Sequence, residues 1–372
     1  MQFIDLHAQQ RRLKGEIDAG IASVLASGQY VMGPEVAEFE AALAAFAGAK
    51  YALGCANGTD AIMLPLMAWG IGPGDAVFCP SFTYCATAEV VALRGATPVF
   101  VDIDRETYNM SADSLRTAIA QVKAEGALVP RAVIIVDLFG QCADYPALAP
   151  VAREAGLHVI SDAAQAFGTT LDGRHPLHWA DVQTTSFFPA KPLGCYGDGG
   201  AVLSDDEGLT NTMDSLRIHG KGTDKYDNVR IGTNSRLDTL QAAILLPKLG
   251  VFADEVARRG RIAERYSKGL RDHALRVPAV MEGVVSTWAQ YTIEVPDPAA
   301  FADHLKSRGI PTARYYPVPI HAQTAYRAFP VAGNGLPNTM AAAEHVISLP
   351  MHPYLEEADQ DRILDAAREA LA

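Results

Sequence analysis

Short apolar runs alternate with helical patterns from Tyr51 to about Leu203, which is the most regular part of the chain. The runs are continuously apolar rather than alternating, as expected for strands buried on both faces. Because helical stretches separate them, the pattern indicates an α/β fold with a mostly parallel central sheet and helices on both faces. The predicted strands are Ala52–Cys55, Ala76–Cys79, Thr97–Val101, Ala132–Val136, His158–Ser161, Val182–Phe187 and Ala201–Leu203.

Helical periodicity continues on both sides of this region. Toward the C-terminus it leads into a smaller part of the chain that has an α/β pattern of its own. Since 372 residues are also many for one hydrophobic core, we predict a large domain over 1–247 and a small C-terminal domain over 248–372. The helices predicted outside the strand region are Arg11–Ser27, Pro34–Ala47, Leu237–Leu246 and Phe252–Leu270.

Composition and charge narrow the class of protein. Hydrophobic residues make up 49% of the chain and charged residues 20%, as in ordinary globular proteins. The formal net charge of −12 argues against nucleic acid or an anionic membrane as the main partner. No signal-peptide core or membrane-length apolar run is present, and the five cysteines show no CxxC spacing. These features predict a cytoplasmic protein with reduced thiols that does not span a membrane.

One lysine is distinguished by its neighbours. Lys191 lies in the stretch Thr184–Gly200, TTSFFPAKPLGCYGDGG, between two prolines and among aromatic, small and glycine residues. An amine at the rim of an apolar pocket loses solvation, so its pKa falls and it becomes a usable nucleophile. The alternative is a solvated lysine on a proline-bounded loop, and this stretch alone does not decide between the two.

Two further stretches favour the nucleophile. Asp162 follows a predicted strand, at the position where open α/β sheets place functional groups. The turn Asn57–Thr59 opens a predicted helix, and such a turn presents backbone N–H groups to a phosphate. A lysine for a Schiff base, an acid for a pyridine nitrogen and a helix terminus for a phosphate are together what pyridoxal 5'-phosphate requires. Asp162 could instead cap the segment that follows it, and the two roles are compatible.

Four longer motifs carry a family resemblance: NGTDA (Asn57–Ala61), SDAAQAFG (Ser161–Gly168), SFFPAKPLGCYGDGG (Ser186–Gly200) and NSRLDTLQAAIL (Asn234–Leu245). With them the chain resembles, nearly from end to end, the DegT/DnrJ/EryC1/StrS sugar aminotransferases. The resemblance implies an aspartate-aminotransferase-like, fold type I enzyme that uses pyridoxal 5'-phosphate. The chain looks most like the members that aminate C3 of UDP-2-acetamido-2-deoxy-3-oxo-D-glucuronate, with L-glutamate as donor, for O-antigen and other cell-surface polysaccharides.

The resemblance also implies roles for single residues. Lys191 would form the Schiff base with the cofactor and then move a proton between the substrate carbon and the cofactor, and Asp162 would pair with the pyridine nitrogen. Tyr84 would stack on the cofactor ring, although a tyrosine at this position could also be core packing. The other expected cofactor contacts are Gly58, Thr59 and Ser186 at the phosphate and Gln165 at the phenolic oxygen.

Further residues are expected from a second subunit, because members of the family build their sites across a homodimer interface. Asn234 would reach the partner's cofactor phosphate, and Arg236, Tyr315 and Tyr316 would approach the sugar or its carboxylate. Arg236 could instead be structural and pair with Asp238. The family members that this chain resembles carry a histidine where it has Tyr315, and a tyrosine supplies no cation near neutral pH. This departure weakens the assignment of a glucuronate substrate.

A glycine-rich, basic stretch at Arg217–Arg236 predicts either a solvated loop or a loop that contributes to nucleotide binding. Its basic residues are Arg217, His219, Lys221, Lys225, Arg230 and Arg236.

Alternative functions stay open at this point. One is amination of a dTDP- or UDP-linked 3- or 4-keto-6-deoxy sugar. A sugar dehydratase would carry histidine in place of Lys191, and a catalytically silent regulatory protein could use the same fold. No metal site is expected.

Overall fold

The structure is a computed structural model that describes residues 1–224 and 226–372. The helices of the N-terminal two thirds are α1 Leu6–Ser27, α2 Pro34–Ala47, α3 Gly58–Ala68, α4 Ala86–Leu93, α5 Ala112–Glu125, α6 Tyr145–Glu154 and α7 Glu207–Arg217. They are followed by α8 Thr239–Leu270, α9 Pro298–Ser307, α10 Pro337–His345 and α11 Glu357–Leu371. The strands are β1 Tyr51–Cys55, β2 Asp75–Pro80, β3 Thr97–Val101, β4 Val129–Val136, β5 His158–Asp162, β6 Thr170–Leu171, β7 Val182–Ser186, β8 Gly200–Ser204, β9 Val284–Val285, β10 Tyr291–Glu294 and β11 Val346–Leu349.

The central sheet has seven strands in the order β1-β8-β7-β5-β4-β2-β3. Strand β8 runs antiparallel to both of its neighbours, and the remaining pairs are parallel. Apolar side chains of alternate positions enter different cores: Leu53 packs with the cluster under α3 to α6, and Ala52 with the cluster under α2 and α8. The predicted α/β fold, with its mostly parallel sheet and its helices on both faces, is therefore confirmed.

The small C-terminal layer has its own core. Strands β10 and β11 pair antiparallel, with Tyr291 opposite Leu349. Their apolar side chains pack with α9, α11 and the last turns of α8 in a separate cluster that includes Ile262 and Tyr266. The division into domains over 1–247 and 248–372 remains a prediction. Its boundary falls inside α8.

Helix α8 corrects the prediction of two helices over Leu237–Leu246 and Phe252–Leu270. It runs for 32 residues through Pro247 without a break. Its buried side continues through Lys248, Leu249 and Phe252, so packing on both sides of Pro247 keeps the chain helical. No helix of the described residues is both long enough and apolar enough to cross a membrane.

Candidate active site

The candidate site lies at one edge of the central sheet. Parallel strands end at the same edge, and segments that follow β2, β5 and β7 meet there. They bring Tyr84, Asp162 and Ser186 to the edge that also carries the loop with Lys191. The sheet order therefore brings together residues that are more than one hundred positions apart in the sequence.

Lys191 and Asp162 form the charged centre of the site. The Asp162 carboxyl is buried, and it accepts hydrogen bonds from the Thr87 hydroxyl at 3.1 Å and from the Ala164 N–H at 3.2 Å. Burial raises the pKa of Asp162, and the positive charge of Lys191 opposes that shift. Burial likewise lowers the pKa of Lys191, and the charge of Asp162 opposes it. The geometry thus supplies an amine that loses its proton more readily than a solvated lysine.

A close junction of backbone lies beside this pair. Asn57 caps α3 by accepting the Asp60 N–H at 2.8 Å, and the first N–H groups of the helix, from Gly58 and Thr59, have no acceptor within the helix. A Cβ on Gly58 would lie 2.6 Å from the Cβ of Ser186. This position therefore requires glycine. The helix terminus and the Ser186 hydroxyl fit a phosphate group.

The amide of Gln165 has a fixed orientation. Its Oε1 accepts the Phe139 N–H at 2.9 Å, so its Nε2 faces the Tyr316 hydroxyl, also at 2.9 Å. The Tyr316 ring packs edge-on against Phe82, and the Tyr315–Tyr316 peptide bond is cis. Tyr316 therefore lies beside Gln165 of its own chain, whereas the resemblance implied an approach to the sugar of a partner's site.

The segment that carries Tyr315 and Tyr316 is held at the sheet edge by a contact that the sequence did not suggest. The Ser81 hydroxyl, at the end of β2, lies 2.6 Å from His321 Nδ1. Tyr84 follows three residues after Ser81, and its side chain is 58% exposed. That exposure excludes the core-packing alternative for Tyr84.

Asn234 and Arg236 lie between α7 and α8. The residue between them, Ser235, accepts the Ala56 N–H at 3.3 Å, which ties the segment to the end of β1 in its own chain. The Asn234 side chain is exposed. Within the described part of the chain, no carboxylate lies within ion-pairing distance of Arg236, so the pairing with Asp238 is absent there.

The basic stretch Arg217–Arg236 offers fewer free positive charges for nucleotide binding than its sequence suggested. Arg217 is buried and binds Glu40, Asp214 and the Gly54 carbonyl, so its guanidinium is engaged within the fold. Its role is structural. The exposed basic residues of this stretch are His219, Lys221 and Arg230, and Lys225 lies outside the described residues.

Sequence reasoning missed two buried residues of the site. Thr87 binds Asp162 directly, and Asp137 follows β4 next to β5. Thr87 lies just after Tyr84 in the chain, so helical spacing could have indicated it. Asp137 also follows a predicted strand, which is the signal that identified Asp162.

A lysine beside a buried carboxylate at the edge of a mostly parallel sheet, together with a helix N-terminus that fits a phosphate group, is typical of the fold type I pyridoxal phosphate enzymes. The chain belongs to the DegT/DnrJ/EryC1/StrS aminotransferase family, whose profile matches residues 11–368. It is therefore a pyridoxal phosphate-dependent aminotransferase.

Particular relatives refine the comparison. The chain is 48% identical to a UDP-2-acetamido-2-deoxy-3-oxo-D-glucuronate aminotransferase of Pseudomonas aeruginosa, over 96% of this chain and 97% of the relative. A crystal structure of a DegT DnrJ EryC1 StrS aminotransferase from Brucella abortus has a TM-score of 0.98 and 51% identity, over 100% of both chains. S. venezuelae DesV, solved in complex with a ketimine intermediate, has a TM-score of 0.91 and 38% identity, over 99% of this chain and 97% of DesV.

Proposed function

We propose that the protein transfers an amino group from L-glutamate to the keto carbon of a nucleotide-linked sugar, and that this sugar is UDP-2-acetamido-2-deoxy-3-oxo-D-glucuronate. The observation that carries the proposal is the pairing of Lys191 with the buried Asp162 carboxylate beside the α3 terminus. The 48% identity to the enzyme of P. aeruginosa supports the substrate.

When bound, pyridoxal phosphate supplies an aldehyde carbon for the amino group and a ring that takes up electron density. Lys191 would bind that carbon and later move a proton to and from the substrate carbon, which an amine of lowered pKa does readily. Asp162 would keep the ring nitrogen protonated. Gly58, Thr59 and Ser186 would hold the phosphate.

The remaining contacts would orient the cofactor and the sugar. Gln165 would face the phenolic oxygen, and the exposed Tyr84 would cover the ring. Tyr316, held by Gln165, would contact the sugar from within the same chain. Arg236 has no carboxylate partner among the described residues, so its guanidinium is available for a sugar carboxylate.

One observation favours a second candidate, the amination of a neutral 3- or 4-keto-6-deoxy sugar on dTDP or UDP. Burial raises the pKa of Tyr315, whose ring packs near Phe3 and Tyr316. Tyr315 is therefore neutral at physiological pH. Arg236 is then the one residue proposed to bind a carboxylate of the sugar.

Mass spectrometry tests the role of Lys191. Borohydride reduction of the cofactor-loaded protein should fix a pyridoxyl mass on the peptide that contains Lys191, because reduction makes the lysine–cofactor bond permanent. Lys191→Ala should carry no such label and should lose transamination. Label on a different lysine would overturn the assignment.

Arg236→Lys tests the substrate. A guanidinium binds a carboxylate through two parallel hydrogen bonds, which a lysine does not reproduce. Turnover of the uronate should fall at least about tenfold, while the analogue with a C6 hydroxymethyl group should be unaffected. Arg261→Lys is the matched control, since Arg261 is an exposed arginine on α8, outside the basic stretch. Equal losses for both sugars would favour the neutral keto-sugar.

We also propose a cytoplasmic homodimer that shares its active sites and serves the synthesis of O-antigen or a related surface polysaccharide. Large exposed apolar side chains near the Lys191 loop and beside the start of α8 support the dimer. They include Tyr30, Val31, Met32, Tyr84 and Phe188. Five free cysteine thiols favour a reducing compartment.

A further inference from the structure

The loop that carries Lys191 folds back on itself. The Cys195 N–H donates to the Phe187 carbonyl at 2.8 Å, which closes the loop at its base. A Cβ on Gly194 would lie 2.5 Å from the Pro189 carbonyl oxygen. The returning half of the loop, Gly194–Tyr196, therefore touches the outgoing half, Phe188–Lys191. Gly194 thus packs directly against Pro189, which lies two residues before Lys191.

Helix α8 grips the returning half with two side chains. The Gln241 amide binds the main chain of Tyr196 twice: its Oε1 accepts the Tyr196 N–H at 2.9 Å, and its Nε2 donates to the Tyr196 carbonyl at 3.3 Å. Lys248 Nζ donates to the Gly194 carbonyl at 2.6 Å and lies 4.2 Å from the centre of the Tyr196 ring. The two side chains are seven residues apart and so lie on one face of the helix.

Burial of the Lys248 ammonium group costs free energy of desolvation. Its side chain is 1% exposed, and burial lowers its pKa to about 8, although Cys195 and Glu255 oppose the shift. An apolar side chain of the same length would avoid that desolvation. What the lysine adds is a charge-assisted hydrogen bond to the loop and a cation–π contact with Tyr196.

We propose that Gln241 and Lys248 are positioning residues that fix the place of the Lys191 amine. The proposal rests on the proposed role of Lys191. It follows from two observations: Gln241 and Lys248 bind the main chain of Tyr196 and Gly194, and Gly194 packs against the Phe188 and Pro189 carbonyl groups just before Lys191. Since a displacement of about 1 Å at a reacting group can cost a hundredfold in rate, such a clamp has a direct catalytic effect.

Lys248→Met tests the clamp in the cofactor-loaded enzyme. The variant keeps the length and apolar stem of the side chain and removes the donor. The matched control is Tyr266→Phe, which removes another buried bond from the same helix, the one from the Tyr266 hydroxyl to the Pro350 carbonyl at 3.1 Å. We expect hydrogen exchange in the peptide Phe188–Tyr196 to quicken at least about tenfold in Lys248→Met and to stay unchanged in Tyr266→Phe.

A second readout follows Lys191 itself. Titration of the visible absorbance with pH should show a shifted midpoint in Lys248→Met, and kcat should fall more than KM rises. Lys248→Arg, which keeps a donor, should restore part of the loss. Gln241→Leu should shift both readouts in the same direction. The test therefore remains valid even if Lys248→Met does not fold.

Wild-type loop exchange and a wild-type absorbance midpoint in both Lys248→Met and Gln241→Leu would overturn the proposal. Faster loop exchange with an unchanged midpoint would also overturn it, because the clamp would then act on the loop without acting on Lys191. A failure of the proposed role of Lys191 is seen separately, in the borohydride labelling of the wild-type protein.

Discussion

At the scale of single residues, the environment of Asp162 determines what the site can do. Two donors, the Thr87 hydroxyl and the Ala164 N–H, fix the plane of its carboxyl group. Burial raises its pKa, so the ionised form depends on a positive partner. Lys191 supplies that charge in this structure, and a protonated ring nitrogen would supply it beside a bound cofactor.

Asp162→Asn should fold and yet transaminate slowly. The asparagine keeps one oxygen to accept the Ala164 N–H, and its Nδ2 can donate to the Thr87 hydroxyl, but it no longer holds a proton on the ring nitrogen. Loss of that charge in a buried site should lower kcat on the order of a thousandfold in a steady-state assay. Asp144→Asn, at the exposed cap of α6, is the control that should leave kcat unchanged. Near wild-type turnover with bound cofactor would show that another group serves the nitrogen.

A second buried acid should make stability depend on pH. The Asp137 carboxyl accepts bonds from Ala143, Tyr145 and Ser161, and burial raises its pKa to about 7. The folded chain thus binds this proton more tightly than the unfolded chain does. Its contribution to the free energy of unfolding is complete below the unfolded pKa of 3.8 and is lost as pH rises toward 7.

Asp137→Asn carries no such proton. Between about pH 5 and pH 7, the fall in its free energy of unfolding should be smaller than in wild type, by about 1.4 kcal/mol per pH unit. Urea unfolding of the cofactor-free protein measures this difference. Asp272→Asn, at an exposed position, should reproduce the wild-type slope. If Asp137→Asn shows the same slope as wild type, the Asp137 carboxyl of the wild-type protein is ionised throughout this pH range.

At the scale of elements, the contact between the start of α3 and the end of β7 forms the proposed phosphate site. Gly58→Ala should weaken cofactor binding by at least about tenfold, because its Cβ would meet Ser186 at 2.6 Å and push the two elements apart. Fluorescence titration with pyridoxal phosphate measures the dissociation constant. Gly15→Ala in α1, where nothing lies within 4 Å of the new Cβ, is the control. Equal affinity in both variants would contradict a phosphate site at this terminus.

The elements were predictable where burial leaves a local signal. Strands such as β3 are continuous apolar runs, and the sequence places Lys191 and Asp162 next to strand ends. The contact between Gln165 and Tyr316 joins residues 151 positions apart, and no local pattern encodes it. The unbroken course of α8 through Pro247 also depends on its tertiary neighbours, which override the local preference.

At the scale of the whole molecule, the position of Asn234 raises the question whether it serves the site of its own chain or that of a partner. Its neighbour Ser235 is tied to its own chain, while the exposed Asn234 side chain is proposed to serve the partner's site. Mixing inactive Lys191→Ala with inactive Asn234→Ala protomers should restore activity, because one site of each mixed dimer then has both residues. Absence of recovery, after mass spectrometry has shown subunit exchange, would mean that each chain completes its own site.

The unbroken course of α8 has one more consequence. A rod of 32 residues is roughly 48 Å long, and each added residue turns everything beyond it by about 100°. The side chains that grip the Lys191 loop and those that enter the small core, such as Tyr266, therefore keep a fixed angular phase. One residue inserted between Lys248 and Ile262 would rotate the small core out of register with the site. An insertion of seven residues, close to two full turns, would nearly restore the angle but displace the core by about 10 Å along the helix axis.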